Sequence, residues 1–181
     1  MSVRKFSMNQ GAYLGFILVG VALLEYIIGI IDIEKPVLVW LINTGIIIMF
    51  LWYAIHRYRD DINEGFLSYA QSLKIGVSIV VFASFIFGIW KVLLINFIMP
   101  DYPEIFIQSQ EERMIEMEEM YPNLMDGFVD LDWEKIEEEA YKSFRPHTIM
   151  INEIISKAIG GFMISLIISF FTKRVDKNMI T

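Results

Sequence analysis

The sequence predicts an all-α integral membrane protein, a four-helix bundle with two short amphipathic helices in the loop between its third and fourth spans. Three observations predict it. The 181 residues are 55% hydrophobic and their mean hydropathy is +0.50, more apolar material than one soluble core of this size uses. Four windows, residues 11–31, 37–55, 75–97 and 149–171, each hold about the 20 mainly apolar residues that cross a hydrocarbon core of roughly 30 Å. Lys and Arg also fall beside these windows on alternate sides, as a multi-pass topology requires.

The first span follows Arg4 and Lys5. It is longer than the apolar region of a secretory signal, contains Glu25 and lacks a small-x-small cleavage pattern, so it reads as a retained span. There is no Cys, and Ser2 stands where a myristoylation signal needs Gly, so lipid anchors, disulfides and thiolate metal sites are not expected. A tight turn at residues 32–36 offers only Lys35, beside Asp32 and Glu34. The second span carries Trp40 at one end and Trp52 and Tyr53 at the other, positions suited to interfacial anchors, as is Trp90 in the third span.

Between spans two and three lies "HRYRDDINEGFLSYAQSLKIG", residues 56–76. Arg57, Arg59 and Lys74 place this loop in the cytoplasm, together with Arg4 and Lys5 before span one and Lys173, Arg174 and Lys177 after span four. Both termini are then cytoplasmic. Asp60 and Asp61 are positioned to pair with the arginines, and Asn63 to Gly65 predict a turn. Phe66, Leu67, Ala70 and Leu73 suit an interfacial helix leading into span three. The segment is expected to be a structured topological anchor, with a cytoplasmic docking surface as the alternative.

Residues 100–147 must face the other side. They hold fourteen Asp and Glu against four Lys and Arg, a net charge of −10 in a chain of −7. The acidic pI of about 4.8 belongs to this loop and argues against nucleic acid as a partner. In "SQEERMIEMEEMY", Met114, Met117 and Tyr121 recur at helical spacing, with Ser109 available as an N-cap and Pro122 as a stop. In "DLDWEKIEEEAYKSF", Trp133, Ile136, Ala140 and Phe144 line one side before Pro146. Such helices either cap the bundle or present Met114, Met117, Tyr121, Trp133, Ile136 and Phe144 to another membrane or extracytoplasmic protein. Asp126, Asp130 and Asp132 lack the spacing of a calcium loop.

Ionisable residues inside spans are costly and mark a role. Glu25, Asn43, Lys91 and Lys157 come out at similar depth when each span is counted from its outer end, with Glu153 one turn from Lys157. This intramembrane polar layer either fixes helix register or serves a proton or solute pathway; lysine snorkelling is the third possibility. Gly11 and Gly15, Ser84 and Gly88, and Gly161, Ser165 and Ser169 supply small-xxx-small contact stripes.

Catalytic machinery is missing from the pattern. His56 and His147 fall on opposite sides of the membrane, and no HExxH, Walker-type or G-x-G-x-x-G motif occurs. An enzyme is not expected, and no cofactor or metal is implied.

The block Y-R-D-x-x-N-x-G-[FY]-[IL]-S at Tyr58 to Ser68 contains Tyr58, Arg59, Asp60, Asn63 and Gly65. With the acidic helical loop and the closing "GGFMISLIISFFTKR", it resembles a family of small four-span bacterial inner-membrane proteins catalogued only as a domain of unknown function. The resemblance covers nearly the whole chain. It implies a bacterial inner membrane and four helices, and it brings no activity or catalytic residue. The leading expectation is an accessory or scaffolding subunit; the alternative is a small proton- or solute-handling transporter.

Overall fold

The computed structural model describes residues 2–30, 33, 35–121 and 133–174. Among the described residues six helices follow one another: α1 (Val3–Ile27), α2 (Pro36–Arg57), α3 (Tyr69–Leu93), α4 (Tyr102–Met120), α5 (Trp133–Ser143) and α6 (Pro146–Thr172). A turn of π-helix extends α2 over Tyr58–Ile62, and another extends α3 over Leu94–Ile98. With these extensions, α1, α2, α3 and α6 are each long and apolar enough to cross a membrane. The chain is therefore a multi-pass membrane protein of all-α class.

Local chemistry sets the helix ends. Ser2 Oγ accepts from Lys5 N–H at 3.3 Å to open α1, so that helix starts well before residue 11, residues 3–10 continuing the same coil. It ends at Ile27 rather than 31, because Gly29 turns left-handed at φ +73°. Ile30 N–H then reaches back to the Glu25 carbonyl at 2.8 Å and Gly29 N–H to Tyr26 at 3.2 Å, the paired bonds of a Schellman motif. Pro36 and Pro146 sit in the first turns of α2 and α6, where a missing N–H costs nothing.

Helix α3 is central. α1 packs along one of its sides and α6 along another, while α2 closes the edge and touches the other three less extensively. The apolar core between them is built from Leu14 and Leu18, Leu51 and Ile55, and Ile75, Ile79, Val80 and Ala83. Small residues let the backbones approach. A Cβ on Gly11 would stand 2.5 Å from Phe82 Cβ and 2.8 Å from the Ile79 carbonyl, and one on Gly161 2.7 Å from Val80 Cβ. Lipid tails are as apolar as these side chains, so such close fit is what holds one helix to another in a bilayer.

The bundle has two unlike ends. The basal end carries the start of α1, the end of α6, the π turn at Tyr58–Ile62 and the start of α3. Here Leu67 and Arg174 pair as a short antiparallel bridge, exchanging N–H to carbonyl bonds of 2.7 and 2.8 Å. Phe66 and Leu67 are thus extended rather than helical, and α3 begins at Tyr69 under the Ser68 N-cap. Bonding to the end of α6 outcompetes a local helix there.

At the cap end, α4 runs from Tyr102 and its Arg113 guanidinium donates to the Ile33 carbonyl in the α1–α2 turn. Helix α4 begins seven residues before Ser109, with Asp101 at the N-cap; Ser109 Oγ instead donates to the Phe106 carbonyl at 2.8 Å. Phe144 packs within the chain. Its ring meets Tyr102 and Phe106 edge-on at 5.6 and 5.4 Å, welding α4 to the start of α6. Residues Asp32, Pro122, Asp126, Asp130, Asp132 and Lys177 lie outside the described residues.

Candidate functional site

Two constellations gather the polar residues of the spans and their ends. The first is a cavity of about 50 Å³ in the cap half of the bundle. Helical spacing puts its walls together: Ala22, Glu25 and Tyr26 on one face of α1, Val39 and Asn43 one turn apart on α2, and Phe87, Trp90 and Lys91 on one face of α3. Ile30, Leu94 and Met99 close it toward the cap end.

Each polar wall residue is held differently. Glu25 is buried, at 7% exposure. Lys91 extends its ammonium toward the ring of Tyr102, 5.6 Å from the centroid, linking the cavity to the first turn of α4. Asn43 donates its amide N–H to the Val39 carbonyl at 2.9 Å, so its Oδ1 faces elsewhere. Asn43 Oδ1 and Trp90 Nε1 are both buried with no hydrogen-bond partner among the described residues. Trp90, a candidate interfacial anchor by sequence, is turned inward: its ring packs against the core and lines the cavity.

Glu153 and Lys157 form a pair of their own on α6. Lys157 Nζ donates to Glu153 Oε2 at 2.6 Å, with both side chains about one-fifth exposed. The same ammonium lies 4.2 Å from the centre of the Phe87 ring, which lines the cavity. Thus Glu25, Asn43 and Lys91 meet in one cavity, and Phe87 stands between them and the Glu153–Lys157 pair.

The second constellation is the basal clasp. Tyr58 is buried and meets Phe6 of α1 edge-on at 5.0 Å. Arg59 grips Asp60 with two bonds, Nε to Oδ1 at 2.6 Å and Nη2 to Oδ2 at 2.9 Å, and reaches the Thr172 carbonyl of α6 at 3.4 Å. Arg57 pairs with Asp61 at 3.7 Å. Asn63 Nδ2 donates to the Phe66 carbonyl at 2.5 Å, across a turn in which Glu64 and Gly65 both take positive φ, +54° and +82°. Below it, Ser72 Oγ and Thr172 Oγ1 lie 2.9 Å apart, a buried bond between α3 and α6. Tyr58, Arg59, Asp60, Asn63 and Gly65 each have a task in shaping this end, and together they tie α1, α2, α3 and α6. Sequence reasoning did not single out the Ser72–Thr172 bond or the Leu67–Arg174 bridge, because each joins residues about 100 positions apart.

On α4 and α5 and at their ends, Met117 and Tyr121 are exposed, Met114 and Ile136 are half-buried, and the Trp133 side chain is outside what the structure describes. Ile115 and Met120 are exposed alongside them. His56 and His147 stand at opposite ends of the bundle, on the last turn of α2 and the first turn of α6. Among the described residues no three His, Asp or Glu side chains converge as a metal site requires.

A family model described as a protein of unknown function matches residues 9–174. No curated protein and no solved structure matches the chain.

Proposed function

The chain belongs to the family of proteins of unknown function DUF4199, and we propose that it is a non-enzymatic accessory or scaffolding subunit of a bacterial inner membrane. In this reading its basal end, with both termini, faces the cytoplasm, and α4 and α5 meet another membrane or extracytoplasmic protein. The observation that carries the reading is the surface of α4. Ile115, Met117, Met120 and Tyr121 are 46 to 62% exposed on a helix whose intervening residues are mostly glutamates. Lipid does not shelter apolar side chains on so acidic a segment, whereas a partner surface does, and Met adapts to the shape it meets.

Crosslinking from position 116 during purification in mild detergent tests this. A discrete partner crosslink, lost in Met117→Glu, is expected; a protein that runs alone with no crosslink from α4 would sink the reading. Orientation is tested separately by single-Cys labelling, since the chain has no Cys of its own. Glu118→Cys should react only from the extracytoplasmic side.

The cavity favours a second reading, proton or solute handling through Glu25, Asn43 and Lys91. Toward the basal end, however, the helices are packed tightly at Gly11, Gly76 and Gly161, where an added Cβ would stand within 3 Å of a neighbouring helix. Glu25→Gln separates the readings: loss of an uptake or proton-linked phenotype in a protein of unchanged stability supports transport, and unchanged behaviour supports the subunit.

A further inference from the structure

The last turns of α2 and the π turn that extends it carry three successive pairs of residues: Trp52 and Tyr53, His56 and Arg57, Asp60 and Asp61. In an α-helix each residue four places on has turned past the one before it, and the wider π coil over Tyr58–Ile62 turns it back, so the pairs stay on one face. All six residues line one open cleft of about 650 Å³ at the basal end. The cleft lies where the apolar span gives way to charge, and the exposed rings of Trp52 and Tyr53 suit the headgroup level of a bilayer.

The chemistry of the cleft is two-sided. Tyr53 steadies Arg57, its hydroxyl accepting from Nη1 at 3.3 Å. Arg57 Nε lies 3.7 Å from Asp61, well beyond the roughly 2.8 Å of a closed charge-assisted bond, and both side chains are exposed. Each therefore keeps bonding capacity for a ligand. Arg59 already grips Asp60, so two acids and two arginines leave no net charge to gather ions of one sign. His56 Nδ1 sits 2.8 Å from the Trp52 carbonyl, to which it can only donate, and Nε2 is the ring nitrogen left to meet a ligand.

We propose that the cleft binds a phosphoethanolamine group, the headgroup of a zwitterionic phospholipid. Arg57 donates to the phosphate, and Asp61, with Asp60 beside it, accepts from the primary ammonium. A cation and an anion one helical turn apart on the protein match the linked anion and cation of this headgroup. A phosphoglycerol headgroup brings the anion alone and leaves Asp61 facing like charge. A quaternary ammonium has no N–H for the carboxylates, and Trp52, the ring best able to hold such a cation, is paired with His56 at 4.4 Å between centroids. The proposal is independent of what α4 binds and of which side the basal end faces.

The test uses the full chain in dodecyl maltoside, with native mass spectrometry counting bound phosphatidylethanolamine, phosphatidylcholine or phosphatidylglycerol of matched acyl chains. One saturable site is expected, at which phosphatidylethanolamine binds about fivefold tighter than the other two, the size of one exposed charge contact. Asp61→Asn should bring it down to the level of phosphatidylcholine, and Arg57→Gln should weaken all three. Arg4→Gln, at the same end but outside the cleft, should leave the ranking unchanged. If Asp61→Asn fails to fold, the ranking of the three lipids by the unsubstituted chain decides alone. Displacement of the lipid by equimolar free phosphoethanolamine would support the same headgroup chemistry and assign its source to a soluble ester; no displacement assigns it to the lipid. Equal binding of the three lipids, tightest binding of phosphatidylglycerol, or a preference that survives Asp61→Asn in a folded protein would overturn the site.

Discussion

Gly160 and Gly161 are neighbours in the middle of α6, alike in sequence and opposite in surroundings. A Cβ on Gly160 meets nothing within 4 Å, whereas one on Gly161 would lie 2.7, 2.7 and 2.8 Å from Val80 Cβ, Cγ1 and Cγ2. Val80 is 1% exposed, and a β-branched residue in a helix is confined to essentially one χ1 rotamer, so it has no way to turn aside. The α3 and α6 backbones must instead move apart, and overpacking of this kind costs about 1–3 kcal/mol. Replacing a mid-helix Gly by Ala also contributes up to about 1 kcal/mol of helix propensity. That gain is common to both positions and cancels in the comparison. The stability of Gly161→Ala is therefore expected to fall about 1–3 kcal/mol below that of Gly160→Ala, by reversible denaturant unfolding in detergent followed by circular dichroism. Equal stabilities, or a Gly161→Ala protein more stable than Gly160→Ala, would refute the packing of α6 against α3 at this point.

The turn between Asn63 and Phe66 gives a second test of opposite sign at adjacent residues. Gly65 at φ +82° should resist Ala at a cost of about 1–2 kcal/mol, while Glu64→Gly at φ +54° should be neutral or stabilising, both by the same unfolding assay; Gly65→Ala without cost would contradict the left-handed turn. On α5 the hydrogen bond from Lys142, 2.7 Å from Glu138, together with its charge, holds the Glu138 carboxyl below the ordinary glutamate range. A depressed folded-state pKa means that this contribution to α5 is present above the unfolded pKa and is lost as pH falls through the folded one. NMR titration of Glu138 should therefore move to higher pH in Lys142→Ala, and an unmoved titration would refute the pair.

Much of the basal clasp was legible in its own eleven residues, because most of its bonds are local. The Arg59–Asp60 grip and the turn through Gly65 each join residues within a few positions. The interfacial helix expected from Phe66 did not form, since the competitor, Arg174, arrives from the far end of the chain. On the cap side, Met117 and Tyr121 were placed by periodicity, yet periodicity alone did not reveal that the Phe144 ring meets Tyr102 and Phe106.

The sequence by itself determined that four helices cross a membrane, where their charged borders lie, and which small residues could serve as contact points. These follow from transfer of each residue to hydrocarbon and from its own backbone preferences, quantities that need no neighbour. Only the tertiary structure decided that α3 is central, that Gly161 rather than Gly160 meets it, that Trp90 turns inward, and that Glu25, Asn43 and Lys91 share a cavity from which Phe87 separates Glu153 and Lys157. A lipid tail and a neighbouring helix are equally apolar, so hydropathy is blind to the direction each helix faces. That direction is fixed by fit between surfaces, a property of pairs of helices rather than of any one of them.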